Sequence, residues 1–269
     1  MKFGVVLPFG DPRTASDIAQ DAEQAGWDGF FVFEPVWGFD AWVALAAAAV
    51  RTERIRLGTM LSPLSRMRPW KLASETVSLD HLSGGRLILS VGLGAVETGF
   101  VAFGEVTDRR TRAELVDEGL EVLTGLWAGQ PFRYEGQHYR IEPTGFFPPP
   151  PPVQRPRIPI WVVGAWPRPK SMARAVRFDG LLPNVFDADG KPRKATPEDV
   201  AAMRSFVADH HQDPGNFDIV VEGETPGDEP EALAEAGATW WLEVRWAGKA
   251  SDEHLGRFRE RVEQGPPTV

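Results

Sequence analysis

The sequence lacks several groups on which common enzyme sites depend. It contains no cysteine, which excludes disulfide bonds, thiolate metal sites and a cysteine nucleophile. All five histidines fall in predicted helices or in a predicted hairpin, so a metal site of two histidines and a carboxylate is not expected. No Gly-x-Ser-x-Gly sequence is present, and Gly92-Leu93-Gly94 lacks the third glycine of a dinucleotide-binding fingerprint. We therefore predict no metal site.

Membrane segments and a positive charge balance are also missing. The apolar segment "AWVALAAAAV" (41–50) is followed at once by charged residues and is too short to span a bilayer. The opening "MKFGVVLPFGDP" reaches Gly and Pro too soon for a signal peptide. The formal net charge of -9 argues against nucleic acids and anionic membranes as partners. We expect a cytoplasmic protein with a small-molecule substrate.

Short apolar runs, typical of buried parallel strands, alternate with helical patterns along the chain. The predicted strands cover 3–9, 29–34, 54–60, 86–93, 158–163, 179–183, 217–222 and 239–246. A predicted helix follows each strand, at 14–26, 40–50, 69–82, 112–127, 168–177, 197–210, 229–236 and 251–264. Eight strand–helix pairs predict a (β/α)8 barrel, whose functional residues lie at the carboxyl ends of the strands.

The segment before the fifth strand interrupts this alternation. Residues 132–141 alternate around a Glu-Gly pair and predict a small hairpin. Residues 146–159 contain five consecutive prolines, which predict a stiff, extended connector. We interpret about 130–156 as an insertion in one domain covering 1–269, because neither half of the predicted barrel closes alone; a linker between two domains is the alternative.

The segment "IPIWVVGAWPRPKSMARAV" (158–176) has the order of strand, glycine turn and helix start that suits an anion. Gly164 allows a tight turn and the close approach of a ligand. The first amides of the following helix lie at the positive end of its dipole, and Lys170 and Ser171 add a cation and a hydroxyl. A phosphate monoester fits this arrangement; an ordinary turn with a solvated lysine is the alternative.

The last predicted strand, in "TWWLEVRW", carries Glu243 and Arg245 on one face. An unpaired buried charge is expensive, so both side chains must be paired or lie near the solvated mouth of the barrel. We assign them, together with Phe9 at the end of the first strand, to a substrate pocket. An internal ion pair is the alternative for Glu243 and Arg245.

Aromatic residues are more abundant near the predicted mouth than acid–base groups. Ten tryptophans are present; some lie near strand ends, where a planar ligand can stack (Trp37, Trp42, Trp166), and others are better placed in the core (Trp127, Trp161, Trp240). Because few acid–base residues lie near the predicted mouth, we expect a bound cofactor to carry out the reaction chemistry. Flavin mononucleotide (FMN), a planar ring with a phosphate tail, suits both features.

Three stretches resemble the bacterial luciferase-like monooxygenase family of flavin- or deazaflavin-dependent (β/α)8 barrels. They are "TERIRLGTMLSPLSRMRPWKLASETVSLDHLSGGRLILSVGLG" (52–94), "RAELVDEGLEVLTGLWAGQPFRYEGQHYRI" (112–141) and "PRIPIWVVGAWPRPKSMARAVRFDGLLP" (156–183). With the opening strand, the resemblance covers roughly residues 1–185, and the last third is diffuse.

The resemblance implies positions for the cofactor. Its phosphate would lie after the fifth strand, against Gly164, Ala165, Trp166, Lys170 and Ser171. A non-proline cis peptide near Met60-Leu61 would support the ring, and Leu93 and Gly94 would lie beside it.

One position departs from the family pattern. Many relatives carry an Asp-His pair after the second strand, where this chain has Glu34-Pro35. No histidine is therefore available there as a general acid or base. We name Glu34 and Trp37 as candidate catalytic residues in its place.

The resemblance implies a monooxygenase that takes reduced FMN from a separate flavin reductase and uses dioxygen on a small organic substrate. A hydride-transfer enzyme using coenzyme F-420 is the first alternative, and its longer anionic tail would need the basic residues Arg66, Arg68, Arg168 and Lys170. A non-catalytic flavin-binding protein is the second alternative, and a metal-dependent barrel hydrolase is the third. The apolar helices at 41–50 and 69–82 are compatible with a homodimer.

Overall fold

The computed structural model describes residues 1–246 and 250–268. Within these residues, eight parallel strands form a closed ring in which the last strand pairs with the first. Their bounds are Lys2–Leu7 (β1), Gly29–Val32 (β2), Arg56–Thr59 (β3), Leu87–Gly92 (β4), Ile160–Trp166 (β5), Gly180–Phe186 (β6), Asp218–Gly223 (β7) and Trp240–Val244 (β8). The predicted (β/α)8 barrel is confirmed.

A helix follows each strand and covers the outside of the ring. The helices are Pro12–Ala25 (α1), Ala41–Arg51 (α2), Pro69–Ser83 (α3), Arg109–Ala128 (α4), Pro169–Ala175 (α5), Pro197–His210 (α6), Pro230–Glu235 (α7) and Asp252–Glu263 (α8). Side-chain caps fix several of the starts: Asp11 accepts a hydrogen bond from the amide of Arg13, and Thr196 forms a capping box with Asp199. None of the helices in the described ranges is long and apolar enough to cross a membrane.

Two predicted strands end too early. β5 and β6 continue to Trp166 and Phe186, because their pairing extends through Gly164 opposite Pro183 and Trp166 opposite Val185. Pro183, the last residue of the predicted strand 179–183, has no N–H to donate, yet the ladder continues past it. α4 begins at Arg109 rather than at 112, because Asp108 accepts a hydrogen bond from the amide of Thr111 and caps the helix there.

The core has two layers. One lies between the strands and the helices, and the other fills the barrel with Val6, Phe31, Ile88, Trp161, Leu182, Val220, Trp240, Leu242 and Val244. Inside the barrel, the rings of Phe31, Trp161 and Trp240 pack with centroids 5.2–6.0 Å apart. Trp127, Trp161 and Trp240 are each at most 4% exposed, which confirms their placement in the core.

The segment before β5 contains the predicted hairpin in shortened form. Tyr134–Glu135 pairs antiparallel with Arg140–Ile141. Glu118 on α4 accepts hydrogen bonds from the amides of residues 137, 138 and 139. After the prolines, Asp80 on α3 accepts from the amides of Val153 and Gln154. The insertion is thus hydrogen-bonded to α4 through its hairpin and to α3 through the residues that follow the prolines.

Candidate active site

A cavity of about 440 Å³, the mouth cavity, opens at the carboxyl ends of the strands. Its apolar lining comes from strand ends and the loops that follow them, and Val163, Leu182 and Val220 continue into the interior of the barrel. Its polar lining consists of Glu34, Glu97, Thr98, Arg109, Arg112, Ser171, Asn184 and Glu222. The mouth cavity therefore combines an apolar floor with a charged rim.

The loop after β3 forms one wall of the mouth cavity. Met60 and Leu61 both line it, and the peptide bond between them is cis. The non-proline cis peptide that the family resemblance implied at this position is confirmed. Leu93 and Gly94, after β4, line the neighbouring wall as expected. A Cβ at Gly94 would lie 2.6 Å from the ring of Phe100 and 2.8 Å from Pro63, so only glycine fits there.

Two arginines on the first turn of α4 face the mouth cavity. Arg109 and Arg112 are three residues apart and lie on the same side of the helix. Arg112 is 7% exposed and donates to the carbonyls of Leu93 and Gly94 at 3.2 and 2.8 Å. Its Nε is buried and has no hydrogen-bond partner among the described residues. The sequence did not predict either residue in the site, because the helix predicted from 112 leaves out the added turn from Arg109 that turns both side chains towards the cavity.

The end of β5 differs from the predicted phosphate site. Ala165 and Ser171 line the mouth cavity, and the amide of Ala165 donates to Ser171 Oγ at 2.9 Å, which leaves that hydroxyl free to donate to a ligand. At Gly164, the position that a side chain would take faces away from the mouth cavity. A Cβ there would lie 2.4 Å from Leu181 Cδ1 and 3.1 Å from Met172 Sδ. The prediction that Gly164 gives room for a ligand is wrong; it gives room for the contact between β6 and α5.

Trp166 and Lys170 do not contribute to the wall of the mouth cavity. Trp166 packs edge-on against Phe206, and Lys170 is exposed. The start of α5 also has few free amides, because prolines 167 and 169 have none and those of Arg168 and Ser171 donate to nearby carbonyls. A cradle of main-chain amides at this turn is therefore not what the structure shows.

Glu34 lies at the end of β2 and lines the mouth cavity, as expected of a catalytic candidate. Ser62 Oγ donates to its Oε2 at 2.5 Å, and Thr59 Oγ1 lies 2.9 Å from Ser62 Oγ. Burial raises the pKa of Glu34 to about 7, although the Ser62 hydrogen bond and the nearby charge of Arg66 oppose the rise. Near neutral pH this carboxyl is therefore present in both protonation states.

Glu222, at the end of β7, is a second carboxyl in the mouth cavity. Its side chain is exposed to the solvent of the cavity, although the surrounding strand ends remove part of its hydration. Enclosure raises its pKa, and a hydrogen bond from Trp246 opposes the rise. The ring of Trp246 packs edge-on against Phe33 at 5.4 Å, and both aromatic side chains line the cavity.

Four predicted site residues lie elsewhere. Trp37 is 82% exposed beside Phe103, and Phe9 packs on the ring of His254. Neither they nor Glu243 and Arg245 belong to the wall of the mouth cavity. The assignment of Glu243 to a substrate pocket is wrong: the bulky apolar residues 240, 242 and 244 fill the barrel, so the alternating face that carries Glu243 meets the helices.

Glu243 instead belongs to an internal ion pair, the alternative left open by the sequence. It is completely buried and accepts hydrogen bonds from Thr225 N and Oγ1 at 2.9 and 2.7 Å. Arg261 Nε on α8 lies 3.4 Å from its Oε1, and Arg245 Nε lies 3.9 Å away. These contacts attach α8 to β8. In the described part of the chain, no three His, Asp or Glu side chains are grouped to hold a metal.

Comparisons with known proteins agree with this architecture. The family model for luciferase-like monooxygenases matches residues 1–266. A Mycobacterium tuberculosis protein, provisionally named a coenzyme F-420-dependent oxidoreductase, is 29% identical over an alignment of 273 positions including gaps, which covers 94% of this chain and 74% of that protein. The crystal structure of a monooxygenase from Streptomyces bottropensis matches with 26% identity and a TM-score of 0.67, covering 97% of this chain and 78% of that one.

A third comparison concerns the fold alone. The coenzyme F-420-dependent tetrahydromethanopterin reductase from Methanopyrus kandleri has a TM-score of 0.74 over 98% of this chain and 96% of that one. At 17% identity, this likeness shows a shared barrel and nothing about the reaction.

Proposed function

Because the chain belongs to the luciferase-like monooxygenase family, we propose that it binds reduced FMN in the mouth cavity and uses dioxygen to oxygenate a small organic substrate. The enzymes of this family are oxidoreductases, and they use either FMN or coenzyme F-420. A separate flavin reductase would supply the reduced cofactor. The observation that carries the proposal is a cavity at the strand ends with an apolar floor, whose cations in the described part of the chain, Arg109 and Arg112, both come from the start of α4.

The mouth cavity fits a cofactor with one flat apolar part and one phosphate. Its volume of about 440 Å³ lies within the range of roughly 300–1,000 Å³ that is typical of small-molecule sites. Met60, Leu61 and Leu93 provide apolar surface for a ring. Arg109, the unpartnered Nε of Arg112 and the hydroxyl of Ser171 provide donors suited to a phosphate. When bound, the cofactor would supply the redox chemistry.

Glu34 is the group in this chain best suited to move a proton. Within the described residues Ser62 bonds its Oε2, which leaves Oε1 available to a ligand in the mouth cavity. A pKa of about 7 lets the carboxyl donate or accept a proton near neutral pH. Glu34 thus takes the place of the histidine that many relatives have after the second strand. The closed apolar floor would exclude water from the reacting atoms.

Coenzyme F-420 is the second candidate cofactor, and the relative from M. tuberculosis favours it. The basic residues expected for its longer tail lie outside the wall of the mouth cavity. Arg66 donates to the carbonyl of Pro35, Arg68 lies over Trp70, and Arg168 lies over Phe186, itself a wall residue. A single phosphate therefore suits the cations of the cavity better than a long anionic tail does.

The proposal is tested by titrating the protein with FMN, riboflavin and coenzyme F-420 and following ligand fluorescence. We expect FMN to bind more tightly than riboflavin, because only FMN carries the phosphate. Arg109→Gln should weaken FMN about fivefold to tenfold, as expected for one charge-assisted contact, and should leave riboflavin unchanged. Arg110→Gln is the matched control, since Arg110 is exposed on the same turn and pairs with Glu114.

Each result of this titration has a definite reading. Tighter binding of coenzyme F-420 than of FMN would show that coenzyme F-420, and not FMN, is the cofactor. Equal loss of FMN affinity in the two arginine variants would overturn the assigned phosphate position. Binding of neither cofactor would refute the proposed function.

A further inference from the structure

A second cavity of about 630 Å³ lies beside the mouth cavity, and we call it the side cavity. It is formed by the ends of β6, β7 and β8, by residues 192–197 and by α7. Pro183, Asn184, Glu222 and Trp246 line both cavities. A ligand in the side cavity would therefore touch the same side chains as a ligand in the mouth cavity.

The base of the side cavity is apolar and firmly built. Val185, Val221, Leu233, Trp241 and Val244 line it, and each is at most 9% exposed. They belong to the strands and the helix that carry the cavity, so their positions are set by the core. Such a base suits a flat or branched hydrocarbon group, which would displace water from it.

The rim of the side cavity has an excess of negative charge. Among the described residues, the two cations of the rim are already paired: Lys194 Nζ lies 2.5 and 2.7 Å from the carboxylate oxygens of Asp228, and Arg193 binds Asp199. Glu222 and Glu229 also line the cavity, and neither has an ion pair within residues 1–246 and 250–268. A cation that enters the cavity would meet these two carboxyl groups, which have no ion pair there. An anion would find both cations of the described rim already occupied by carboxylates.

We infer that the side cavity holds the substrate and that the substrate is a small apolar molecule carrying a protonated amine. Its hydrocarbon part would rest on Ala232 and Leu233 of α7, and its ammonium group would lie among the rim carboxylates. Trp246, which is 52% exposed, offers a ring face for the cation on the side of the mouth cavity. The inference rests on the proposed function, because the shared wall brings such a substrate beside the cofactor.

The first test measures binding without any cofactor. Isothermal titration calorimetry of the whole chain compares benzylamine, benzyl alcohol and benzoate, which have similar shapes and differ in charge. We expect benzylamine to bind about threefold to fivefold more tightly than benzyl alcohol, and benzoate to bind least, since one favourable charge contact near the surface has this size. Equal binding of the three probes, or no binding of benzylamine, would overturn the inference.

Variants then place the binding in the side cavity. Ala232→Phe puts a ring into it from α7 and should abolish benzylamine binding, whereas Ala202→Phe, at an exposed position on α6, should not. Glu229→Gln should weaken benzylamine about threefold and leave benzyl alcohol unchanged. Glu231→Gln, on the first turn of α7 but outside the cavity, should change neither. Because Glu229 is exposed, its variant is expected to fold even if Ala232→Phe does not.

The outcomes separate this inference from the proposed function. FMN affinity should be the same in Ala232→Phe as in the unaltered chain, because Ala232 does not line the mouth cavity. Loss of amine binding with FMN affinity retained supports the inference. Amine binding that survives in Ala232→Phe, or that is weakened equally by Glu231→Gln and Glu229→Gln, refutes it. Absence of FMN and F-420 binding would instead refute the proposed function.

Discussion

Glu34 and Glu243 are both carboxyl residues near the end of a barrel strand, yet their surroundings differ. Glu243 is completely buried between β8 and α8, where Thr225 and Arg261 satisfy it. Glu34 lies in the mouth cavity and, within the described residues, accepts one hydrogen bond, from Ser62. A fully satisfied charge holds two elements together, whereas an incompletely satisfied one is available for chemistry.

The same contrast separates the two faces of a strand end. Ala165 faces the mouth cavity, and its neighbour Gly164 faces α5. Substitutions on the inner face are expected to weaken ligand binding, whereas substitutions on the helix-facing side are expected to lower the stability of the fold. Position at a strand end is therefore not enough to identify a functional residue; the face must also be known.

The largest expected effect is on stability at the helix-facing carboxylate. Glu243→Gln should lower the free energy of unfolding by about 3–5 kcal/mol, because it leaves Arg261 buried without its counter-charge. Urea denaturation followed by circular dichroism measures the change. Glu253→Gln, at the exposed start of α8, is the control and should cost under about 1 kcal/mol. Similar values for the two variants would show that the buried pair is not what joins α8 to the barrel.

The cavity-facing carboxyl should show the opposite behaviour. Glu34→Gln should reduce turnover about 100-fold, the lower range for loss of a general acid or base, with little loss of stability. Steady-state turnover with the reduced cofactor and dioxygen measures it. The rate of the unaltered chain should depend on a group with a pKa of about 7, and this dependence should vanish in the variant.

Two further variants check the assignment of that pH dependence. Glu97→Gln removes another carboxylate from the rim of the mouth cavity and should change turnover less than about threefold. Ser62→Ala removes the hydrogen bond that lowers the pKa of Glu34, so the inflection should move to higher pH. An inflection that persists in Glu34→Gln would assign the proton to a different group.

Gly164 provides a smaller test of the two faces. Gly164→Ala should cost about 1–3 kcal/mol of stability, since its Cβ would collide with Leu181, and should leave the FMN affinity of the folded fraction unchanged. Thermal denaturation and FMN titration on one sample separate the two effects. Gly256→Ala, in open space on α8, should instead stabilise the chain by about 0.5–1 kcal/mol. Weaker FMN binding with normal stability in Gly164→Ala would restore the phosphate role predicted from the sequence.

The sequence predicts the fold better than it predicts the site. Apolar runs and helix caps report local burial and local hydrogen bonding, so all eight strand–helix pairs could be recognised. Alternation in β8 correctly separates Glu243 from Trp240, but it does not say which face meets the barrel interior. The side-chain volumes decide that, because three bulky apolar residues fill the interior.

Other site features depend on contacts that no local pattern contains. Glu34 was named from the sequence because it stands after the second strand, where many relatives have an Asp-His pair. The direction of Gly164 depends on its register with β6, and the cations of the cavity depend on a helix start that Asp108 extends by one turn. The side cavity is formed by three strands and a helix that come together only in the folded barrel.

The smallest expected effect is the pH dependence that Glu34 gives to stability. Its pKa is about 7 in the folded chain, whereas the ordinary pKa of 4.5 applies in the unfolded chain. Between these pH values the folded state therefore holds a proton that the unfolded state has lost. This contribution is complete below pH 4.5 and is lost as the pH rises through 7. The free energy of unfolding of the unaltered chain, minus that of Glu34→Gln, should therefore fall from pH 4.5 to 8 by on the order of 1 kcal/mol, because solvent in the cavity screens the charge. Urea denaturation at both pH values measures the difference; a difference that stays constant or rises would mean that the carboxyl of Glu34 is ionised throughout and as well satisfied as that of Glu243.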